Sequence, residues 1–206
     1  MAEIKLNKTE LKAQKNQLDQ LTKYLPTLQL KKQQLQAEVE NLKNSVARLS
    51  DELEMQKKKL QSYSLLFSEL LTVDLRQLIL IENVEVETEN IAGVEVPVFR
   101  NVIFKKGEYS FFILPLWVDK AADDLRSLIS MREKLKIADQ RLMLIQEELR
   151  QTNIKVNLFE KRMIPKCKEN IKKIKIFLGD QEIAAICNAK IAKDKLKRKE
   201  LVTAEA

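Results

Sequence analysis

The stretch Leu28-QLKKQQ-Leu35-QAE-Val39-EN-Leu42-KNS-Val46-AR-Leu49-SDE-Leu53 decides the fold. Its apolar residues recur in alternating steps of three and four, with Lys, Gln, Glu and Asn between them. That is the pattern of a helix burying one narrow stripe against another helix. The stripe continues upstream through Leu11, Leu18, Leu21 and Leu25, and downstream through Leu60, Tyr63, Phe67 and Leu70. Of the eighteen stripe positions from Leu11 to Leu70, only Gln14, Lys32 and Gln56 are polar. A straight helix drifts by about 20° per heptad against a 3.5-residue repeat, so a stripe this long keeps facing its partner only by left-handed supercoiling.

A second stripe of matching length follows Asp123-Asp124, which reads as an acidic helix start: Leu128, Met131, Leu135, Ala138, Leu142, Ile145, Leu149, Thr152, Val156, Phe159 and Met163. Beyond Pro165 it resumes one residue out of step, at Cys167, Ile171, Ile174 and Leu178, as a proline within a helix predicts. Pro26 should interrupt the first helix similarly. In an antiparallel pairing folded about residue 100 it would lie opposite residue 174, within about two to three turns of Pro165. The expected fold class is mostly α: a long antiparallel two-helix left-handed coiled coil with a small β-hairpin-like cap at the bend. Arms of about 70 residues would each extend roughly 105 Å, far more than a globular core needs.

Residues 82–118 differ in character. Val84, Val86, Val94, Val96 and Val98 alternate with Glu and Pro, then come Val102-Ile103-Phe104, a Lys-Lys-Gly-Glu turn at 105–108, and a run from Tyr109 to Leu114. Short strands are expected here, forming a separately folded cap for docking or regulation that contributes little to the coiled coil. The domain reading is an N-terminal helix over 1–81, a short-strand cap over 82–118, and a C-terminal helix with a basic tail over 119–206.

Composition narrows the chemistry. Histidine is absent, which removes histidine-based nucleophile arrangements, metal ligands and pH switches. Gly93, Gly107 and Gly179 are too far apart for any glycine-rich phosphate loop. The acidic pairs Asp51-Glu52, Asp123-Asp124 and Glu147-Glu148 read as helix starts or solvated faces, so no catalytic residue, metal site or cofactor is expected and the chain is not an enzyme by itself. Cys167 and Cys187, if on one helix, lie roughly 30 Å apart and cannot pair. Two free thiols, no signal peptide and no apolar run longer than Phe111–Val118 point to a cytoplasmic setting without membrane insertion. Asn7-Lys8-Thr9 matches a glycosylation sequon without meaning in that setting.

The net charge of +7 is unevenly spread. Residues 1–32 carry seven basic and three acidic groups, residues 161–206 thirteen and six, and residues 82–124 four and nine. Antiparallel folding would gather Lys5, Lys8, Lys12 and Lys15 with Lys172, Lys173, Lys190, Lys193, Lys197 and Arg198 at one positive tip. Any single lysine reads most simply as a solvated coiled-coil face, but the segregation between ends calls for a negative partner. Nucleic acid is not expected, because only Phe177 is interleaved with the basic residues and no zinc, helix-turn-helix or RNP pattern occurs.

These residues resemble a known family. Leu28–Leu35 is similar to the LLKxKRDxL segment of the D subunit of the V-type and archaeal-type rotary ATPases. Ile91-Ala92-Gly93-Val94-Glu95-Val96-Pro97 resembles its GVxxP stretch, Lys155-Val156-Asn157-Leu158-Phe159-Glu160 its RVNALE, and Met163-Ile164-Pro165-Lys166 its IPR. Order and spacing agree along nearly the whole chain. Gln33, Pro26 and Gly179-Asp180-Gln181-Glu182 depart from the family pattern, the last where a charged helix usually continues. The resemblance implies a rotor shaft, the central stalk of a V-type ATPase or ATP synthase. It would couple ATP hydrolysis or synthesis in a catalytic hexamer of A and B subunits to proton or sodium ion transport. The paired termini would enter the hexamer, the F subunit would bind beside the coiled coil, and the capped end would dock on the socket subunit (C/d) above the membrane rotor ring. Partner binding is expected at Lys8, Lys12, Lys15, Lys161, Arg162, Pro165, Lys166, Lys172 and Lys173, in a protein peripheral to the cytoplasmic face of the membrane. The alternative, a prefoldin-like coiled-coil chaperone subunit, calls for shorter arms with apolar tips.

Overall fold

The computed structural model describes residues 5–62, 79–105 and 117–204. Helix α1 spans Lys8–Gln61, strands β1 and β2 span Ile81–Ile91 and Val94–Phe104, and helix α2 spans Trp117–Leu158. A π-helical turn, Phe159–Met163, leads into α3, Ile164–Ala204. Tyr63, Phe67 and Leu70 of the first stripe, the 105–108 turn beyond Lys105, and the strand expected over Tyr109–Leu114 lie outside the described residues. Every stripe position from Leu11 to Leu60 is buried or half-buried, the three polar ones included. The chain forms two compact units by contact: Lys31–Thr152, and Met1–Leu30 with Asn153–Ala206.

The helix boundaries have local causes. Asn7, the asparagine of the sequon, is the N-cap of α1: its Oδ1 accepts from the Glu10 backbone N–H at 2.7 Å, satisfying one of the first turn's free donors. Pro26 does not interrupt α1, contrary to expectation. Proline removes one backbone donor there, while the Thr22 and Thr27 hydroxyls donate to the Leu18 and Tyr24 carbonyls at 2.8 Å and the stripe residues on both sides stay packed. Helix α2 starts at Trp117, with Asp119 in its first turn, rather than after Asp123-Asp124. Val118, Ala121 and Ala122 are almost completely buried, so packing extends the helix past the acidic pair.

In the unit Lys31–Thr152, Leu35, Val39 and Leu42 of α1 meet Ile145 of α2 and Val96 of β2 in one apolar cluster. Lys31 pairs with Glu148 and Arg141 with Glu38, both centred on about residue 90, which corrects the expected fold point of 100. The strands pair antiparallel about a two-residue turn, Ala92-Gly93, with φ of 50° and 82°. Such a turn matches strand twist but requires left-handed backbone, natural for Gly93 and costing about 1–2 kcal/mol at a non-glycine such as Ala92. Asn90 Oδ1 steadies the turn by accepting from the Gly93 N–H at 3.0 Å. The Ala92 side chain packs against the apolar cluster, where an asparagine amide would be desolvated. A bulge between Glu85 and Val86 leaves Arg100 without an opposite residue, and it pairs with Glu87 across the strands. The expectation that this segment contributes little to the coiled coil is corrected: Val96, fully buried, and half-buried Ile91, Ala92 and Val94 pack on the helices.

In the other unit, Leu21 of α1 and Val156, Cys167 and Ile174 on the second arm are buried stripe residues. The one-residue shift expected at Pro165 is realised just before it. In the π-turn the Ile164 N–H donates to the Phe159 carbonyl five residues back, so the turn absorbs one extra residue and keeps Val156 and Cys167 on the inward face. Pro165 follows as the second residue of α3, where its missing donor falls in an already rearranged turn. The helix then runs through Gly179 to Ala204 without a break.

Candidate functional site

The sequence-predicted site residues all belong to the unit that joins Met1–Leu30 with Asn153–Ala206. Lys8, Lys12 and Lys15 sit on the first turns of α1 and are exposed. They line one open groove of about 430 Å³ together with Lys175, Gly179 and Glu182 of α3. Lys8 Nζ lies 3.9 Å from Glu182 Oε1, a contact between two exposed side chains that contributes at most about 1 kcal/mol. Lys161 and Arg162 occupy the π-turn, Pro165 and Lys166 open α3, and Lys172 and Lys173 follow one another along it; all six are exposed. The structure thus gathers Lys8, Lys12 and Lys15 into a groove whose opposite wall holds Lys175, a residue not singled out from sequence, beside Leu178, Gly179 and Glu182. Lys190 and Lys193 are exposed, while the side chains of Lys197 and Arg198 fall outside the described residues.

Beneath this surface the stripe carries a polar layer. Asn170, 7% exposed, donates through Nδ2 to Gln14 Oε1 at 3.3 Å, and Gln14 Nε2 donates to Glu10 Oε1 at 3.0 Å. Gln14 is legible as a polar stripe position, whereas the sequence assigns the facing position to Ile171 and passes over its neighbour Asn170. A single polar pair in such a seam fixes which residues face each other, since any slip buries both amides against apolar groups. Burial pushes the nearby Cys167 thiol up from its ordinary value, with Lys166 partly opposing the shift.

The strongest charged contacts lie in the other unit, at positions the sequence presents as solvated. Lys31 Nζ donates to Glu148 Oε1 at 2.7 Å, both side chains about two-thirds covered or more. Arg141 Nη2 reaches Glu38 Oε1 and Glu89 Oε2, each at 3.3 Å, and is only 19% exposed. The signal that could have found these pairs is opposite charge beside the apolar stripe on antiparallel helices. Among the described residues, no group of three Cys, Asp or Glu side chains is placed to hold a metal ion, and no helix is long and apolar enough to cross a membrane.

Fold and surface define a class: a coiled-coil protein with a side-docked β-hairpin, whose exposed chemistry is positive charge near its termini. Within that class, the family model described as that of the ATP synthase D subunit matches residues 10–194. The V-type ATP synthase D subunit of Borreliella burgdorferi is 41% identical over 199 residues, covering 97% of this chain and 98% of that protein. Those of Chlamydia muridarum and Chlamydia trachomatis serovar L2 are 39% and 38% identical over 198 residues, covering 96% of this chain and 98% of each relative. The chain belongs to the ATP synthase D-subunit family.

Proposed function

We propose that this chain is the central rotor shaft of a V-type ATPase or ATP synthase, non-catalytic itself, coupling ATP turnover in the A and B subunits to rotation of the membrane ring and movement of protons or sodium ions. It works at the cytoplasmic face of the membrane, peripheral to it. The F subunit binds beside the coiled coil and the socket subunit holds the opposite end. The two arms, carried by α1 and by α2 with α3, transmit torque, and the segment over 82–118 has a separate docking or regulatory role. The observation that carries this reading is the set of exposed lysines and arginines gathered in the unit that holds both termini, on a seam of paired helices.

A shaft turning inside a hexamer cannot rely on one deep apolar anchor, which would hold it in a single orientation. Long basic side chains exchange partners over several ångströms, and each exposed pair contributes only about 0.2–1 kcal/mol, so they centre the shaft without locking it. Changing Lys161, Arg162, Lys172 and Lys173 together to Glu should weaken assembly with the A and B subunits, most severely at low salt where repulsion is least screened. Binding to the F subunit should survive. Assembly as tight as the parent's at low ionic strength would return these residues to an ordinary solvated face.

A further inference from the structure

The β-hairpin packs on the helices mainly through β2. Glu89 of β1 stands directly opposite Val96 of β2, so the fully buried anchor and the carboxylate that meets Arg141 belong to one rung. Toward the turn, Ile91 and Val94 also pack on the apolar cluster, and a Cβ placed on Gly93 would lie 4.0 Å from Lys31 Nζ. Toward the base, β1 is exposed at nearly every position. β2, by contrast, keeps Val102 buried near its base, and its Pro97, Val98 and Phe99 line a cavity with Leu42, Leu49 and Arg141, so β1 is the loosely held strand and its attachment rests on Ile91 and on the pairing of Glu89 with Arg141.

That arginine also joins the two long helices. A single nitrogen, Nη2, carries both contacts: a hydrogen bond to Glu38 on α1 at 3.3 Å, long for a charge-assisted one, and an ion pair with half-exposed Glu89 on β1, also at 3.3 Å. Its Nε is buried and has no partner. A buried donor without an acceptor is costly, and an arginine normally satisfies Nε by binding one carboxylate side-on through Nε and Nη2 together. The guanidinium thus has two further arrangements, forked on Glu38 or forked on Glu89. Either satisfies Nε at the expense of the other carboxylate.

We infer that Arg141 couples hairpin docking to helix pairing antagonistically: one guanidinium is shared between Glu38 and Glu89, so strengthening either contact weakens the other. A twist of α1 against α2 that carries Glu38 away from Arg141 releases the guanidinium to Glu89 and tightens the hairpin. A twist that brings Glu38 closer loosens it. The hairpin is a clip whose grip depends on the local winding of the coiled coil. The coupling is a property of the chain itself and does not depend on its role in an assembly.

The test is amide hydrogen exchange at Val96 and Val98 in the full chain, with substitutions that keep side-chain shape. Glu89→Gln should speed exchange by about threefold, because it removes an ion pair whose carboxylate is half exposed. Glu38→Gln should slow it by about threefold, because Arg141 then forks on Glu89. In an Arg141→Lys background the compact ammonium cannot fork, so Glu38→Gln should no longer slow exchange. Unchanged or faster exchange in Glu38→Gln, or the same slowing in the Arg141→Lys background, overturns the inference.

Discussion

The two compact units use the same heptad stripe and stabilise it differently. In Lys31–Thr152 the stripe gains a third layer: Leu35, Val39, Leu42 and Ile145 close on Val96, and covered charged pairs flank the cluster. In the unit containing both terminal arms, the described stripe has no strand over it. It holds a Gln14–Asn170 pair, a proline on each arm and a π-turn, and its outer face is basic. A heptad pattern therefore specifies which helix faces meet but not how firmly. Firmness follows from what covers the seam, and register from the few polar groups inside it.

The difference breaks most visibly by putting a charge into each seam. Leu42→Asp, in the covered cluster, should cost about 3–5 kcal/mol by urea unfolding, because it buries an unpaired carboxylate. Leu18→Asp, at a half-buried position of the other unit, should cost no more than half as much; equal losses would mean that the hairpin adds nothing to its unit.

The polar layer sharpens the contrast. Asn170→Leu should cost about 1–3 kcal/mol by leaving the Gln14 side-chain carbonyl without its donor, and adding Gln14→Leu should recover most of it. The double variant should also lose register, read as a second product when engineered cysteines on the two arms are cross-linked. Glycines give a smaller effect of opposite sign in the two units. Gly93→Ala should destabilise by about 1–2 kcal/mol, because a side chain there is forced into left-handed backbone. Gly179→Ala, with open space around a Cβ, should stabilise by about 0.5–1 kcal/mol through helix propensity. Smallest in energy is the thiol contrast. Near about pH 8, exposed Cys187 should alkylate far faster than buried Cys167, whose raised thiol pKa leaves less thiolate. Similar rates would mean that the seam opens at that level.

The helices are legible in the sequence because period and length carry them: stripe positions from Leu11 to Leu60 all turn inward. The break at Pro165 is legible as a one-residue slip but not as a π-turn, since a slip in register does not say which turn absorbs it. The features that escape a sequence reading are those where tertiary packing overrides local signals. Pro26 fits a helix held on both sides, Val118 and Ala121 draw α2 past its acidic pair, and Ala92 takes a turn position where Asn or Gly would be expected. For the site, the basic residues are readable as charge near the termini. Asn170 and Arg141 are not, because their roles come from neighbours more than a hundred positions away in the chain.

As the proposed rotor shaft, one copy of this chain would turn at the axis of a catalytic hexamer. The most direct test is affinity purification of the tagged chain from its own cells after gentle membrane solubilisation, followed by native mass measurement. A rotor shaft should bring down the A, B and F subunits with a single copy of this chain in each hexamer. Recovery without A and B, or with several copies in each hexamer, would contradict it.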